Sequence, residues 1–162
     1  MPAHRFVHHD RVQFSDTDMA GIVHFSNFAR FMERAEHAFF REVGLSIWED
    51  PAQIPTEDRV AWPRVHFACD FHAPLFFQEE FEVELLVEEI RSKAIRYLFR
   101  CWKNGGVLAA EGRMAAACVR KDPATGRMQA VPIPDRIRAC FAPATEAQLK
   151  RPQVRSPRDG AD

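Results

Sequence analysis

One short stretch near the start of the chain holds the groups best placed for chemistry. Val12-Gln13-Phe14-Ser15-Asp16-Thr17-Asp18-Met19-Ala20-Gly21-Ile22-Val23-His24-Phe25-Ser26-Asn27-Phe28 passes from a strand end through a tight acidic turn to Gly21 and a short apolar approach to a helix. Backbone N–H groups at a helix start have no intrahelical partner and carry partial positive charge. A carboxylate beside them is the arrangement that acyl transfer needs. One group attacks or activates water, and the free N–H groups hold the developing oxyanion. Asp18 is the candidate carboxylate. A thioester suits so small a site, because its thiol leaving group, with a pKa near ~8.5, departs without strong general-acid help. An amide or alkyl ester would need a second proton donor.

The same residues have plainer uses. Asp and Thr favour Asx turns, and for Asp16 that structural role is the expectation. Gly21 permits a positive φ and also lets backbone approach a ligand. His24 either lines the pocket or orients water, or is a half-buried histidine with its hydrogen bonds satisfied. His4, His8 and His9 share neither a helical pair spacing nor a neighbouring carboxylate motif, so no metal site is expected from them.

The elements that must position Asp18 follow from periodicity. Ser26 to Val43 places Phe28, Phe31, Met32, Ala35, Phe39 and Val43 on one helical face and Arg30, Glu33, Arg34, His37 and Arg41 on the other. Ser26 and Asn27 are candidate caps and Gly44 a stop. About 18 residues would span roughly 27 Å, enough to cross a sheet. Strand alternation appears at His8–Phe14, Val65–Phe71, Phe81–Val87 and Ile95–Cys101. The Asn104-Gly105-Gly106 turn leads into a long strand, Val107–Arg120. A last strand at Gln129–Val131 and a short closing helix at Pro134–Phe141 complete the order. The pattern predicts an α+β domain in which an antiparallel sheet wraps around one long central helix. One helix covers one sheet face, so the other face predicts contact with a partner.

Composition sets outer bounds. The 162 residues fit one domain, here 1–142, followed by a proline-bearing, weakly apolar stretch, 143–162, expected to be a disordered tail. Lys plus Arg number 22 against 23 for Asp plus Glu, so no broad positive field recruits nucleic acid or an anionic membrane. Cys69, Cys101, Cys118 and Cys140 form no CxxC pair, which argues against zinc and against a disulfide framework. The His-rich start does not read as a signal peptide, and the longest apolar run, Met114–Val119, cannot cross a bilayer. A cytoplasmic protein is the expectation.

The motif Asp16-Thr17-Asp18-x-x-Gly21-Ile22-Val23-x-Phe25-x-Asn27-Phe28, continued by Gly44-Leu45-x-x-Trp48, resembles the 4-hydroxybenzoyl-CoA thioesterase family, in its form with the catalytic Asp before the central helix. The resemblance runs on more weakly to about Phe141. It implies a hotdog fold, hydrolysis of acyl-CoA, and a homodimer building two sites across its interface. The uncovered sheet face extends that expectation to a dimer of dimers, and the chemistry of the site needs no metal or redox cofactor. Residue by residue, it makes Asp18 the nucleophile or general base. It gives Phe25 a backbone N–H aimed at the thioester carbonyl, and Arg91 and Lys93 the CoA phosphates, although an acidic strand followed by a solvated turn also explains that pair. His24 departs from the pattern, since related enzymes of the cell-envelope type carry a histidine one position later. Another branch of the fold uses a helical Glu. Glu33 falls on the polar side and Glu36 at the edge of the apolar stripe, which leaves Glu36 in reserve. Trp62 and Pro63 are candidates for shaping the acyl pocket. The other functions open to this scaffold are a non-catalytic acyl-CoA or acyl-carrier binder and a hydratase or dehydratase.

Overall fold

Glutamates alternate with Phe81, Val83, Leu85 and Val87, and the computed structural model, which describes residues 1–152, shows all four apolar side chains buried. They belong to β3 (Glu80–Ile90) of a five-stranded antiparallel sheet. The other strands are β1 (Arg5–Arg11), β2 (Arg64–Phe71), β4 (Ala94–Lys103) and β5 (Val107–Ala117), in the order β1-β3-β4-β5-β2. A short second ribbon pairs β6 (Val119–Lys121) with β7 (Met128–Ala130).

One helix, α1 (Asn27–Glu42), lies against the inner face of the sheet. Its 16 residues span about 24 Å. The expected apolar stripe is the buried one: Phe31, Met32, Ala35 and Phe39 are fully inaccessible. Contact is close at Gly112 of β5, where a Cβ would stand 2.6 Å from Met32 Sδ and 3.3 Å from the Ala68 carbonyl. Any larger residue there would have to displace the end of the Met32 side chain.

Local competition moved several boundaries. The first strand lies earlier than His8–Phe14, because Val12 leaves the β1 edge to exchange backbone bonds with Gln78 and Glu79. Phe14–Asp16 then close a single 3-10 turn. The long strand expected to reach Arg120 breaks at Cys118, whose N–H donates to the Lys93 carbonyl, and the chain crosses into the β6–β7 ribbon. Neither Ser26 nor Asn27 caps α1 through its side chain; Asn27 has another partner, described below. The closing helix is present as α2 (Asp135–Arg138).

The segment after residue 142 differs most from expectation. Thr145 caps a one-turn helix, α3 (Glu146–Leu149), that lies on the outer sheet face. Leu149 packs with Leu86, Leu98 and Ala144. Arg100, in mid-sheet and 2% exposed, donates to the Gln148 carbonyl at 2.9 Å, the Leu149 carbonyl at 2.8 Å and Glu111 Oε2 at 3.1 Å. Composition misses this docking because the anchors are backbone carbonyls, which every residue carries. Residues 153–162, the rest of the expected tail, lie outside the described residues. No helix among the described residues is long and apolar enough to cross a membrane.

Removing Thr145 onward strips a buried guanidinium of two acceptors, and bonds to charged groups contribute about 1.5–3 kcal/mol each. A chain ending at Ala144 should melt at least ~5 °C below the full chain, the shift that about 2 kcal/mol produces at this size. Matching melting curves would mean that the segment does not hold the sheet face.

Candidate active site

Asp16 ties the acidic turn to the helix. Its carboxylate, 8% exposed, accepts from Gln13 N at 2.8 Å. Its carbonyl accepts twice, from His24 N at 2.9 Å and from Asn27 Nδ2 at 2.8 Å. Asn27 therefore works as a brace between turn and helix rather than as a cap. Asp18 follows in a second tight turn, where its Oδ1 accepts from Ala20 N at 2.8 Å and its carbonyl from Gly21 N at 3.0 Å. Gly21 has φ +78° with open space where a Cβ would be, so conformation alone accounts for the glycine. Val23 N then donates to the Leu75 carbonyl, which fastens this turn to the loop after β2.

Between those segments lies a cavity of about 490 Å³. Asp18, Phe25 and Phe28 line one side; Phe71, His72 and Leu75 line the other. Phe28 and Phe71 meet edge to face with centroids 5.2 Å apart, so the walls are largely aromatic. The half-exposed Asp18 carboxylate shares this apolar space with the first residues of the helix approach. Among the described residues the Phe25 N–H has no backbone partner, which leaves it free for a ligand oxygen.

The other candidates lie elsewhere in the single chain. His24 is exposed, with Nδ1 2.8 Å from Ser26 Oγ and its ring stacked 4.6 Å from Phe25, and it does not line the cavity. Trp62 is buried against Phe40, and the Pro63 carbonyl accepts from Ala117 N. Arg91 and Lys93 are exposed on the β3–β4 turn, with Arg91 Nε 2.9 Å from Glu89 Oε1. Asp18 lies beyond the Glu80 end of β3 and Arg91 beyond the Ile90 end, so the length of β3, roughly 33 Å, separates them.

Comparison with known proteins identifies the family and the fold. The family model described as the thioesterase-like superfamily matches residues 12–141. The chain belongs to the thioesterase-like superfamily. A 1,4-dihydroxy-2-naphthoyl-CoA hydrolase of Prochlorococcus marinus is 32% identical over 97 residues, covering 58% of this chain and 65% of that protein. The gentisyl-coenzyme A thioesterase BH1999 superposes with a TM-score of 0.69 at 29% identity, covering 85% of this chain and all of its own. The 4-hydroxybenzoyl CoA thioesterase of Pseudomonas sp. strain CBS-3 superposes at 0.72 with 22% identity, covering 85% of this chain and 99% of its own, and shares the fold. This superfamily member thus has the hotdog fold, and its enzyme class is that of the thioester hydrolases.

Reading the sequence did not single out Phe71, His72 or Leu75 as cavity residues. The one available signal was the apolar run Phe71-His72-Ala73-Pro74-Leu75-Phe76-Phe77, too apolar for an ordinary exposed connector. It also left Glu36 without a partner. In the structure Glu36 is fully buried beneath the Arg64 guanidinium, with Tyr97, Glu33 and His37 around the pair. Burial pushes the Glu36 carboxyl up to about 7, against the opposing pull of Arg64.

The folded chain therefore holds the Glu36 proton more tightly than the unfolded chain does. That stabilisation is complete below about pH 4.5 and is lost as pH rises toward 7. Wild type should lose stability relative to Glu36→Gln between pH 5 and pH 8, measured by urea unfolding at both values. Parallel pH profiles for the two proteins would show that Glu36 titrates normally.

Proposed function

We propose that this chain hydrolyses acyl-CoA thioesters to the free acid and CoA, with Asp18 as nucleophile or general base. The observation that carries the reading is that Asp18 and the helix-approach residue Phe25 line the same aromatic-walled cavity. With the thioester carbonyl oxygen on the Phe25 N–H, charge developing on that oxygen meets a fixed donor and the positive end of α1. Asp18 then either attacks the carbonyl carbon, giving a mixed anhydride that water afterwards hydrolyses to the free acid and the restored carboxylate, or takes a proton from water that attacks the carbonyl directly. The C–S bond breaks and the thiolate of CoA leaves without a dedicated acid. No metal or redox group enters these steps. An aromatic or medium aliphatic acyl group suits the Phe28–Phe71 wall. The four free cysteines suit a reducing, cytoplasmic setting.

The reading includes a homodimer. β2 is an edge strand that exposes Val65 at 65%, Phe67 at 42% and Phe71 at 50%. An unpaired apolar edge is a ready template for a second strand. Antiparallel pairing of β2 with its own copy covers these side chains and makes one continuous sheet. It also carries the far end of each chain toward the partner's Asp18 cavity. Arg91 and Lys93 then meet the CoA phosphates from across the interface. α3 already occupies the centre of the outer sheet face, so this edge favours a dimer over a dimer of dimers stacked on that face.

Asp18→Asn keeps the size and turn preference of Asp and removes the carboxylate. Its turnover should fall at least ~100-fold, the low end for positioned acid–base groups, with acyl-CoA binding retained. Asp16→Asn keeps an acceptor oxygen for Gln13 N–H and should retain most of its turnover. Near-normal thiol release from the first variant, or loss confined to the second, would sink the assignment. Alanine at both Arg91 and Lys93 should raise KM more than it lowers kcat, because contacts far from the carbonyl bind ground and transition states alike. Unchanged KM would place the CoA phosphates elsewhere.

A further inference from the structure

Arg64 opens β2 at the free edge of the sheet and is held there from below. Its guanidinium pairs with Glu36, Nη1 donates to the Trp62 carbonyl at 2.8 Å, and Glu33 Oε1 lies 3.8 Å from Nη2. Glu36 and Tyr97 are both fully buried, while the Arg64 side chain keeps 27% of its exposure. Glu36 Oε1, the Tyr97 hydroxyl and Arg64 Nε are buried without hydrogen-bond partners. A buried carboxylate under one edge arginine is a costly arrangement that an apolar pair would avoid. What it secures is the position of that guanidinium.

Within one chain Arg64 does not line the Asp18 cavity. It pairs with Ala116 of β5, whereas Phe71, on the cavity wall, pairs with Ala110, the length of β2 away, roughly 23 Å. The antiparallel pairing proposed above reverses that separation. With the two β2 strands centred on each other, Arg64 of one chain stands against the partner's Phe71. We infer that Arg64 is a substrate-binding residue in trans, donating to a hydroxyl oxygen on the acyl group held in the partner subunit's Asp18 cavity. The inference rests on the hydrolase and dimer reading above. Glu36 and Glu33 flank the guanidinium and leave the cluster without surplus positive charge, which favours a neutral hydroxyl over a carboxylate. A fixed donor fork facing aromatic walls discriminates strongly, since an acyl group lacking the oxygen leaves it unpaired.

Mixed dimers test this directly. Arg64→Met and Asp18→Asn are each purified as homodimers and then as the heterodimer, with two affinity tags. Substrates are benzoyl-CoA and its ring-hydroxylated isomers, with a carboxylated benzoyl-CoA as the anionic arm. Wild type should prefer at least one hydroxylated isomer over benzoyl-CoA by about tenfold or more in kcat/KM, and Arg64→Met should lose that preference. The heterodimer holds one site with both residues intact only if Arg64 acts across the interface, and it should then recover about half of wild-type turnover on that isomer. A heterodimer no better than its parents overturns the inference, as does an Arg64→Met homodimer with the wild-type preference or a preference for the carboxylated substrate. An active Asp18→Asn homodimer defeats the role of Asp18 instead, and the hydroxyl preference of the Arg64 variant then decides the inference alone. A monomeric active protein overturns both. Because Arg64→Met leaves Glu36 buried and unpaired, the Glu36→Gln/Arg64→Met double variant is carried through the same assays to separate folding from binding.

Discussion

The hydrogen bonds of one buried residue, Asp16, hold the rest of the site in place. Its carboxylate closes the turn after β1 and its carbonyl takes donors from His24 and Asn27, both at the start of α1. Strand end, acidic turn and helix approach are thereby one rigid unit. The chemically identical side chains of Asp16 and Asp18 divide the work by surroundings: one is buried and satisfied by backbone, the other is half exposed against aromatic walls.

The fold adds a second constraint, distance. The β3 strand separates the acidic turn from the β3–β4 turn by its whole length, and a CoA ester needs both an acyl pocket and a phosphate site. In a single hotdog sheet the Asp18 cavity and the proposed phosphate site lie at opposite ends. In the proposed dimer, two copies joined edge to edge would bring them together twice. The outer face follows different physics. There Arg100 needs acceptors in mid-sheet, and the chain's own C-terminal segment supplies them.

How much of this the sequence disclosed depends on the kind of signal. The helix was legible because its apolar period survives burial intact, with Met32 packed directly over Gly112. β3 and β4 were legible through alternation. The shift of β1 was not, because Val12 exchanges its ladder for backbone bonds to Gln78 and Glu79, a long-range competition. Asp18 and Phe25 share the cavity and stand close in sequence. Phe71 and His72 are remote in sequence, and nothing in their types announced that they face Asp18. Glu36 read as an edge residue of the helix because the wheel contains no sheet, and only the fold brings Arg64 over it.

Release of free thiol from a panel of acyl-CoA esters, followed continuously with the purified protein, bears most directly on what the Asp18 cavity does. Hydrolysis predicts one free thiol and one free acid per ester consumed, with turnover on aromatic or medium-chain esters. Tight binding of those esters with no thiol released would make the chain a binding module. Addition of water across the acyl chain with the thioester intact would make it a hydratase. Either result would contradict the role of Asp18 as the carboxylate that drives hydrolysis.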